Sequence, residues 1–142
     1  MRVLSVRQPW AWAIARGQKP IENRNWDTTY RGELAIHASL RLDTDALESP
    51  LVRGAGWDPA DPIAAAGMIV AVVSLTDVCA AATSGEPCDC GPWAEAGYFH
   101  WRLGDVRPLP RPFATTGQPS LWTASPDLAA EVAGILAGRA GH

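Results

Sequence analysis

Residues 67–78 are the part of the chain that most restricts its fold, and they read Gly-Met-Ile-Val-Ala-Val-Val-Ser-Leu-Thr-Asp-Val. The run is apolar at both alternating sets of positions, so a strand built from it has to be covered on both faces. The sequence therefore predicts a central strand at 67–78, with other strands beside it and further elements above and below.

Shorter segments of strand and helix pattern surround this run. Strands are predicted at 2–6, 19–24, 33–38, 98–103, 105–109 and 120–124. Helices are predicted at 9–16, where Pro9 opens and Gly17 ends the helix, at 42–53 with Asp43 as its cap, and from Ser125-Pro126-Asp127 to about Gly138. Many short strands with two or three helices indicate the α+β class, as a small β-barrel of five to six strands.

Length and charge limit the domain count and the ligand class. A chain of 142 residues is expected to be a single domain spanning 1–142. Its net charge of −3 argues against a protein that coats duplex DNA non-specifically, because such binding needs a broad cationic surface. The cations concentrate before residue 32, which favours the N-terminal half as the side that faces an anion.

The octet 17–24, Gly-Gln-Lys-Pro-Ile-Glu-Asn-Arg, places Lys19, Glu22 and Arg24 within six positions. Lysine offers a point charge and arginine a planar fork of donors, so the group suits a planar, polar, anionic ligand. The alternative is a surface ion pair worth about 0–1 kcal/mol. In a second alternative, a buried Lys19 beside Glu22 acts as a proton-transfer pair.

Further candidate ligand contacts flank the octet. Gln8 and Trp10 lie at a predicted helix N-terminus, where free N–H groups favour phosphate and an indole can stack on a base. Trp26, Tyr30 and Arg31 lie in a predicted loop, where exposed aromatic residues often bind ligands. The alternative for these aromatic residues is packing in the core or against the barrel.

Histidine, serine and cysteine residues offer less specific signals. His37 is interpreted as a core histidine rather than a general base, and no nucleophile-elbow motif surrounds Ser5 or Ser39. The spacing of Cys79, Cys88, Cys90 and His100 matches no standard zinc motif, so we expect free loop thiols, no metal and no cofactor, with zinc as the alternative.

Targeting signals are absent from the start of the sequence, and no run of eighteen apolar residues predicts a membrane span. The odd number of cysteines does not indicate a disulfide framework. A cytoplasmic location without membrane association is the resulting expectation.

The sequence resembles the ASCH family, the activating-signal-cointegrator homology domains of the PUA-like superfamily. The signature Gly-x-Lys-x-x-Glu-x-Arg is matched by Gly17, Lys19, Glu22 and Arg24, and Gly117-x-Pro-x-Leu-Trp122 resembles the closing strand of the family. With the upstream Gln8-Pro9-Trp10-Ala11, the resemblance covers about residues 3–123. It implies a PUA-like barrel with a cleft between the first helix and the strands, and RNA or other nucleic-acid ligands.

Three functions follow as expectations. The first is a module that binds RNA, another single-stranded nucleic acid or a nucleotide through Lys19, Glu22, Arg24 and the flanking residues. The second is a hydrolase of acylated cytidine nucleosides or of RNA, with Lys19 and Glu22 as its catalytic pair. The resemblance favours binding, because the nucleoside-hydrolase branch has a threonine where this chain has Glu22. The third is a protein-interaction module in transcription regulation.

Overall fold

The computed structural model describes residues 1–138, and in that part of the chain the backbone forms six strands and three helices. The strands are β1 (Arg2–Gln8), β2 (Ile21–Arg24), β3 (Gly32–Leu42), β4 (Met68–Cys79), β5 (Phe99–Ala114) and β6 (Leu121–Thr123). The helices are α1 (Trp10–Ala15), α2 (Pro50–Gly54) and α3 (Pro126–Leu136). Short 3-10 turns lie at Asp45–Glu48, Pro62–Ala64 and Ala81–Ser84. The α+β class is confirmed.

All six strands belong to one sheet with the order β2-β5-β4-β3-β1-β6. β1 and β3 run parallel, and the other neighbouring pairs are antiparallel. β4 lies inside the sheet between β5 and β3, as the apolar run at 67–78 predicts. The sheet differs from the expected barrel in that it does not close. The edge strands β2 and β6 have only 4 and 3 residues, and they do not pair with each other to close the sheet.

Both faces of the sheet are buried, each by a different helix. One core cluster joins α1 to the sheet through Leu4, Ile14 and Trp101, and a second joins α3 through Val3, Val132 and Ile135. β4 contributes to both clusters, with Val70 and Val73 on the α1 side and Ile69 and Val72 on the α3 side. Two-sided burial explains why this strand carries apolar residues at both alternating sets of positions.

One predicted helix is divided in the structure, and two predicted strands are joined. The expected helix at 42–53 is divided into the turn Asp45–Glu48 and α2, because Ser49 precedes Pro50 and has extended backbone angles (φ −64°, ψ 127°). The expected strands at 98–103 and 105–109 are one long strand, β5, which continues through Asp105 at φ 48°. The ladder with β4 shifts register at this point, so β5 absorbs the irregularity without ending.

None of the helices within residues 1–138 has the length and apolar character that crossing a membrane requires. The C-terminal helix begins as its sequence predicts. The Ser125 side chain accepts a hydrogen bond from the backbone N–H of Leu128 at 3.1 Å, and Pro126 follows the cap.

Asp61 ties α1 to the turn Pro62–Ala64 and gives the fold a pH-dependent contact. Its carboxylate accepts hydrogen bonds from Arg16 at 2.6 and 2.9 Å and from the indole N–H of Trp12 at 3.0 Å. The hydrogen bond from Arg16 is the main reason that the pKa of Asp61 is lowered to about 2. The folded state therefore favours the ionised carboxylate, and this stabilisation is complete above the pKa of the unfolded chain.

We expect Asp61→Asn to lower the free energy of unfolding by about 1–2 kcal/mol at neutral pH. The difference from the wild type should shrink below about pH 4 and vanish only below about pH 2, where the wild-type carboxylate becomes protonated in the folded state as well. Urea denaturation of both proteins across this pH range measures the effect. A difference that stays constant with pH would contradict the assignment.

Candidate functional site

A cleft of about 520 Å³ opens over the start of α1 and the short strand β2. Its lining comes from β1, α1, β2, the end of β3, and the β4–β5 loop (residues 80–98). The lining residues that matter most for its chemistry are Arg7, Trp10, Lys19, Glu22, Arg24 and Trp93. The volume lies within the range of pockets that hold small organic ligands.

The floor of the cleft is a network of three charged side chains. Lys19 Nζ lies 2.9 Å from Glu22 Oε1, and Arg24 Nη1 lies 3.3 Å from Glu22 Oε2. The side chains of Lys19 and Glu22 are 3% and 8% exposed, whereas that of Arg24 is 22% exposed. One carboxylate thus joins two cations, and the network keeps a net positive charge beneath the opening.

Local backbone geometry explains how the octet 17–24 assembles this floor. Gly17 has φ 76° after α1, and the backbone N–H groups of Gln18 and Lys19 both donate to Ala13 O. Lys19 therefore lies in the turn before β2, and the alternation of side chains along a strand does not separate it from Glu22. Glu22 is held in turn by its backbone pairing with Trp101 on β5.

Lys19 and Arg24 have different capacities to bind a ligand. Lys19 donates to Ile21 O and to Glu22, and its Nζ lies 5.6 Å from the ring centroid of Trp10. Because the ammonium is buried and already donates two hydrogen bonds, it has little capacity left to bind a ligand. Arg24 and the exposed Arg7 on β1 are the more accessible cations of the lining.

Aromatic residues form the walls. Trp10 and Trp93 make an edge-to-face pair with ring centroids 6.3 Å apart, and the indole N–H of Trp10 donates to Asp43 Oδ2 at 2.9 Å. Tyr98, which is 39% exposed, lies at the end of the β4–β5 loop and also lines the cleft. These rings offer partly exposed faces beside the charged floor.

Asn23 holds the β4–β5 loop against the cleft. Its side-chain amide donates to Trp93 O at 2.9 Å, and its side-chain oxygen accepts from the backbone N–H of Glu95 at 2.9 Å. A residue of β2 thereby fixes the opposite wall, so the floor and the wall are positioned by the same strand.

Four residues that the sequence predicts to contact a ligand do not line the cleft, namely Gln8, Trp26, Tyr30 and Arg31. Gln8 is buried, and its side-chain amide bonds to Ile63 O, Ala65 O and the N–H of Trp12, so it supports the start of α1 and does not line the cleft. Trp26 packs edge-to-face on Trp101, with ring centroids 4.7 Å apart, and the Arg24 guanidinium lies over the Trp26 ring. The Tyr30 hydroxyl donates to Glu33 O in β3, Arg31 donates to Thr28 O and Tyr30 O, and neither residue lines the cleft.

His37 lies in the core and pairs with Ser5. Its Nε2 donates to Thr115 O at 2.8 Å, which leaves Nδ1 facing Ser5 Oγ at 3.2 Å. A Cβ placed on Gly117 would lie 2.5 Å from His37 Cε1, so this glycine permits the close approach. The interpretation of His37 as a hydrogen-bonded core histidine agrees with its 2% exposure.

Sequence reasoning missed several lining residues, namely Arg7, Asn23, Asp43, Trp93, Glu95 and Tyr98. Trp93 and Tyr98 carried a usable signal, because they are aromatic residues in a loop rich in glycine and proline. Asn23 and Asp43 carried none, since their roles depend on which segments the sheet brings together.

The charges around the cleft are balanced. Three cations, Arg7, Lys19 and Arg24, and three carboxylates, Glu22, Asp43 and Glu95, line it. A long polyanion gains little from such a lining, whereas a nucleotide with one or two phosphates and a polar base edge finds partners of both signs.

Each of three comparisons with known proteins found a match. The model of the ASCH domain family matches residues 4–112. Activating signal cointegrator 1 from Homo sapiens is 50% identical over 38 residues, a match covering 27% of this chain and 6% of that protein. The crystal structure of a mutant of ZmASCH from Zymomonas mobilis aligns with a TM-score of 0.58 at 14% identity, over 94% of this chain and 96% of that chain. This last similarity concerns the fold alone.

Proposed function

Since the chain belongs to the ASCH domain family, which is associated with RNA binding or hydrolase activity, we propose that its cleft binds a nucleotide unit of RNA or of another single-stranded nucleic acid. The observation that carries the proposal is the charged Lys19–Glu22–Arg24 floor, with Arg24 accessible, beneath partly exposed indole rings. Unpaired bases can enter such a site and stack, whereas bases in a duplex are already stacked.

Each part of a nucleotide has a matching group in the cleft. Arg24 and Arg7 contact the phosphate, with Arg24 aimed by its ion pair with Glu22. Trp93 or Tyr98 stacks on the base, a contact worth about 1–3 kcal/mol. Asp43 and Glu95 accept hydrogen bonds from exocyclic amines of the base. Lys19 contributes indirectly, because its ion pair with Glu22 holds that carboxylate in place.

We expect Arg24→Ala to weaken the binding of a short single-stranded RNA about tenfold or more, because one charge-assisted contact is lost. The slope of log affinity against log salt should become shallower by about 0.7, the contribution of one phosphate contact. Fluorescence anisotropy at two or more salt concentrations measures both quantities. Circular dichroism confirms that the variant is folded.

Arg107→Ala is the matched control. Arg107 pairs with Glu33 and Asp105 and does not line the cleft, so its loss removes the same charge at a different place. Equal effects of the two substitutions would mean that net charge alone governs binding, and the cleft assignment would then be wrong. A panel of RNA, single-stranded DNA, duplexes and free nucleosides identifies the preferred ligand class.

A second candidate function is hydrolysis of an acylated nucleoside or of RNA. One observation favours it: Lys19 Nζ and Glu22 Oε1 lie 2.9 Å apart, which is within reach of direct proton transfer. Turnover of an N-acyl cytidine or of a labelled RNA, lost in Lys19→Ala but kept in Arg107→Ala, would support this function. Binding without turnover would leave the cleft as a binding site.

A further inference from the structure

Three cysteines and a histidine that are scattered in the sequence meet at one end of the sheet. Cys79 ends β4, and His100 lies directly opposite it in the β4–β5 ladder. Cys88 and Cys90 come from the β4–β5 loop, which folds back over this pair. The three Sγ atoms and a ring nitrogen of His100 all lie within 4.8 Å of one another.

These separations are close to those of a tetrahedral metal site. With Zn–S near 2.3 Å and Zn–N near 2.05 Å, tetrahedral angles place two sulfurs about 3.8 Å apart and a sulfur and a nitrogen about 3.6 Å apart. The structure has Cys88 Sγ 3.5 Å from His100 Nδ1. No other pair among the four atoms lies more than about 1 Å beyond its tetrahedral separation.

The orientation of His100 supports metal binding. Its Nε2 lies 2.6 Å from Glu95 O, a carbonyl that can only accept, so Nε2 carries the proton. Nδ1 then presents its lone pair to the three sulfurs. A ligating histidine that donates its second ring N–H to a backbone carbonyl is the usual arrangement around zinc.

A cation beside the cluster offsets the charge of a bound site. Three thiolates and a neutral imidazole around Zn²⁺ carry a net negative charge. Arg102 Nη2 lies 3.4 Å from Cys90 Sγ and also pairs with Asp89 at 3.0 Å. The guanidinium therefore stabilises the thiolates while Asp89, between the two loop cysteines, holds it in place.

We propose that Cys79, Cys88, Cys90 and His100 bind one Zn²⁺ ion as a structural Cys₃His site. Four protein ligands complete the tetrahedron and leave no open position for a substrate, so the site is structural and not catalytic. Thiolate and imidazole ligands select zinc over magnesium or calcium. The proposal replaces the expectation of independent loop thiols, which rested on spacing alone.

The ion would act as a clamp on the β4–β5 loop. This loop carries Trp93 and Glu95, which form one wall of the cleft, and it is 19 residues long between the strands. Asn23 holds the loop on the cleft side, and His100 and Arg102 of β5 hold it through Glu95 O and Asp89. Zinc would hold the loop at a further point, by linking its Cys88 and Cys90 to Cys79 of β4 and His100 of β5.

Metal content and cobalt substitution of the full chain test the proposal. We expect about one tightly bound zinc per chain after desalting, and Co²⁺ should give the intense thiolate charge-transfer and tetrahedral d–d bands of a sulfur-rich site. A chelator should lower the melting temperature of the wild type. The double variant Cys88→Ala/Cys90→Ala should lose the ion and the bands, whereas Glu86→Gln, a change in the same loop, should keep both.

Several outcomes would overturn the proposal. They are a wild type that takes up no zinc or cobalt, a cobalt spectrum without thiolate bands, metal content unchanged in the double variant, and a mass lower by two hydrogens that reveals a disulfide within the cluster. The cobalt spectrum of the wild type decides the matter even if the double variant does not fold.

Discussion

Replacing Glu22 with glutamine is expected to lower the free energy of unfolding by about 3–5 kcal/mol, because it leaves the buried ammonium of Lys19 without its counter-ion. The side chains of Lys19 and Glu22 are only 3% and 8% exposed, so water cannot take over the lost interaction. Urea denaturation at neutral pH, with the m-value compared between variants, measures the change.

Two further variants separate the buried pair from charge removal in general. Glu33→Gln removes a carboxylate from the exposed pair with Arg107, and should change stability by only about 0–1 kcal/mol. Lys19→Met combined with Glu22→Leu removes both charges and should recover much of the loss. If Glu22→Gln alone were as mild as Glu33→Gln, the buried network would not be a structural element of the folded state.

Trp101→Ala is expected to cost a similar amount, about 3–5 kcal/mol, through the cavity it leaves. Trp101 is fully buried in the α1-side core, packs edge-to-face on Trp26, and donates its indole N–H to Trp26 O at 3.3 Å. The same residue pairs with Glu22 in the β2–β5 ladder, so its loss also loosens the floor of the cleft.

Tyr98→Ala is the control for this prediction, since it removes an aromatic ring that is 39% exposed near the start of the same strand. Its effect on stability should stay within about 0.5 kcal/mol. Trp101→Phe should fall between the two, because it keeps part of the buried ring. A Trp101→Ala variant as stable as Tyr98→Ala would contradict the packing described here.

The elements that follow from local pattern were predictable, and those that depend on pairing were not. The two-faced apolar run gave the position of β4, and Ser125-Pro126 gave the start of α3. The division of the expected 42–53 helix depended on one proline, Pro50, whose effect on Ser49 was legible in the sequence but was outweighed by the apolar pattern. β5 continues as one strand across Asp105 because it pairs with β4 on both sides of that residue.

The candidate site illustrates the same limit. The octet named Lys19, Glu22 and Arg24, but it gave no indication that Lys19 is buried and Arg24 accessible. Trp26 and Tyr30 were adjacent in sequence to the floor and yet pack elsewhere, whereas Trp93 was distant and forms the wall. Likewise, the cysteines approach His100 only because the β4–β5 register sets Cys79 opposite it. Contacts of this kind are set by strand register.

The pairing of β2 with β5 has a consequence for biosynthesis. Glu22 is synthesised well before its partner Trp101, because the two residues lie far apart along the chain. At typical elongation rates the interval is on the order of ten seconds. During that time the nascent Lys19–Glu22 segment has no strand to join, so the charged surface of the cleft floor forms only after translation of β5. Early termination before residue 99 would leave the octet without that surface.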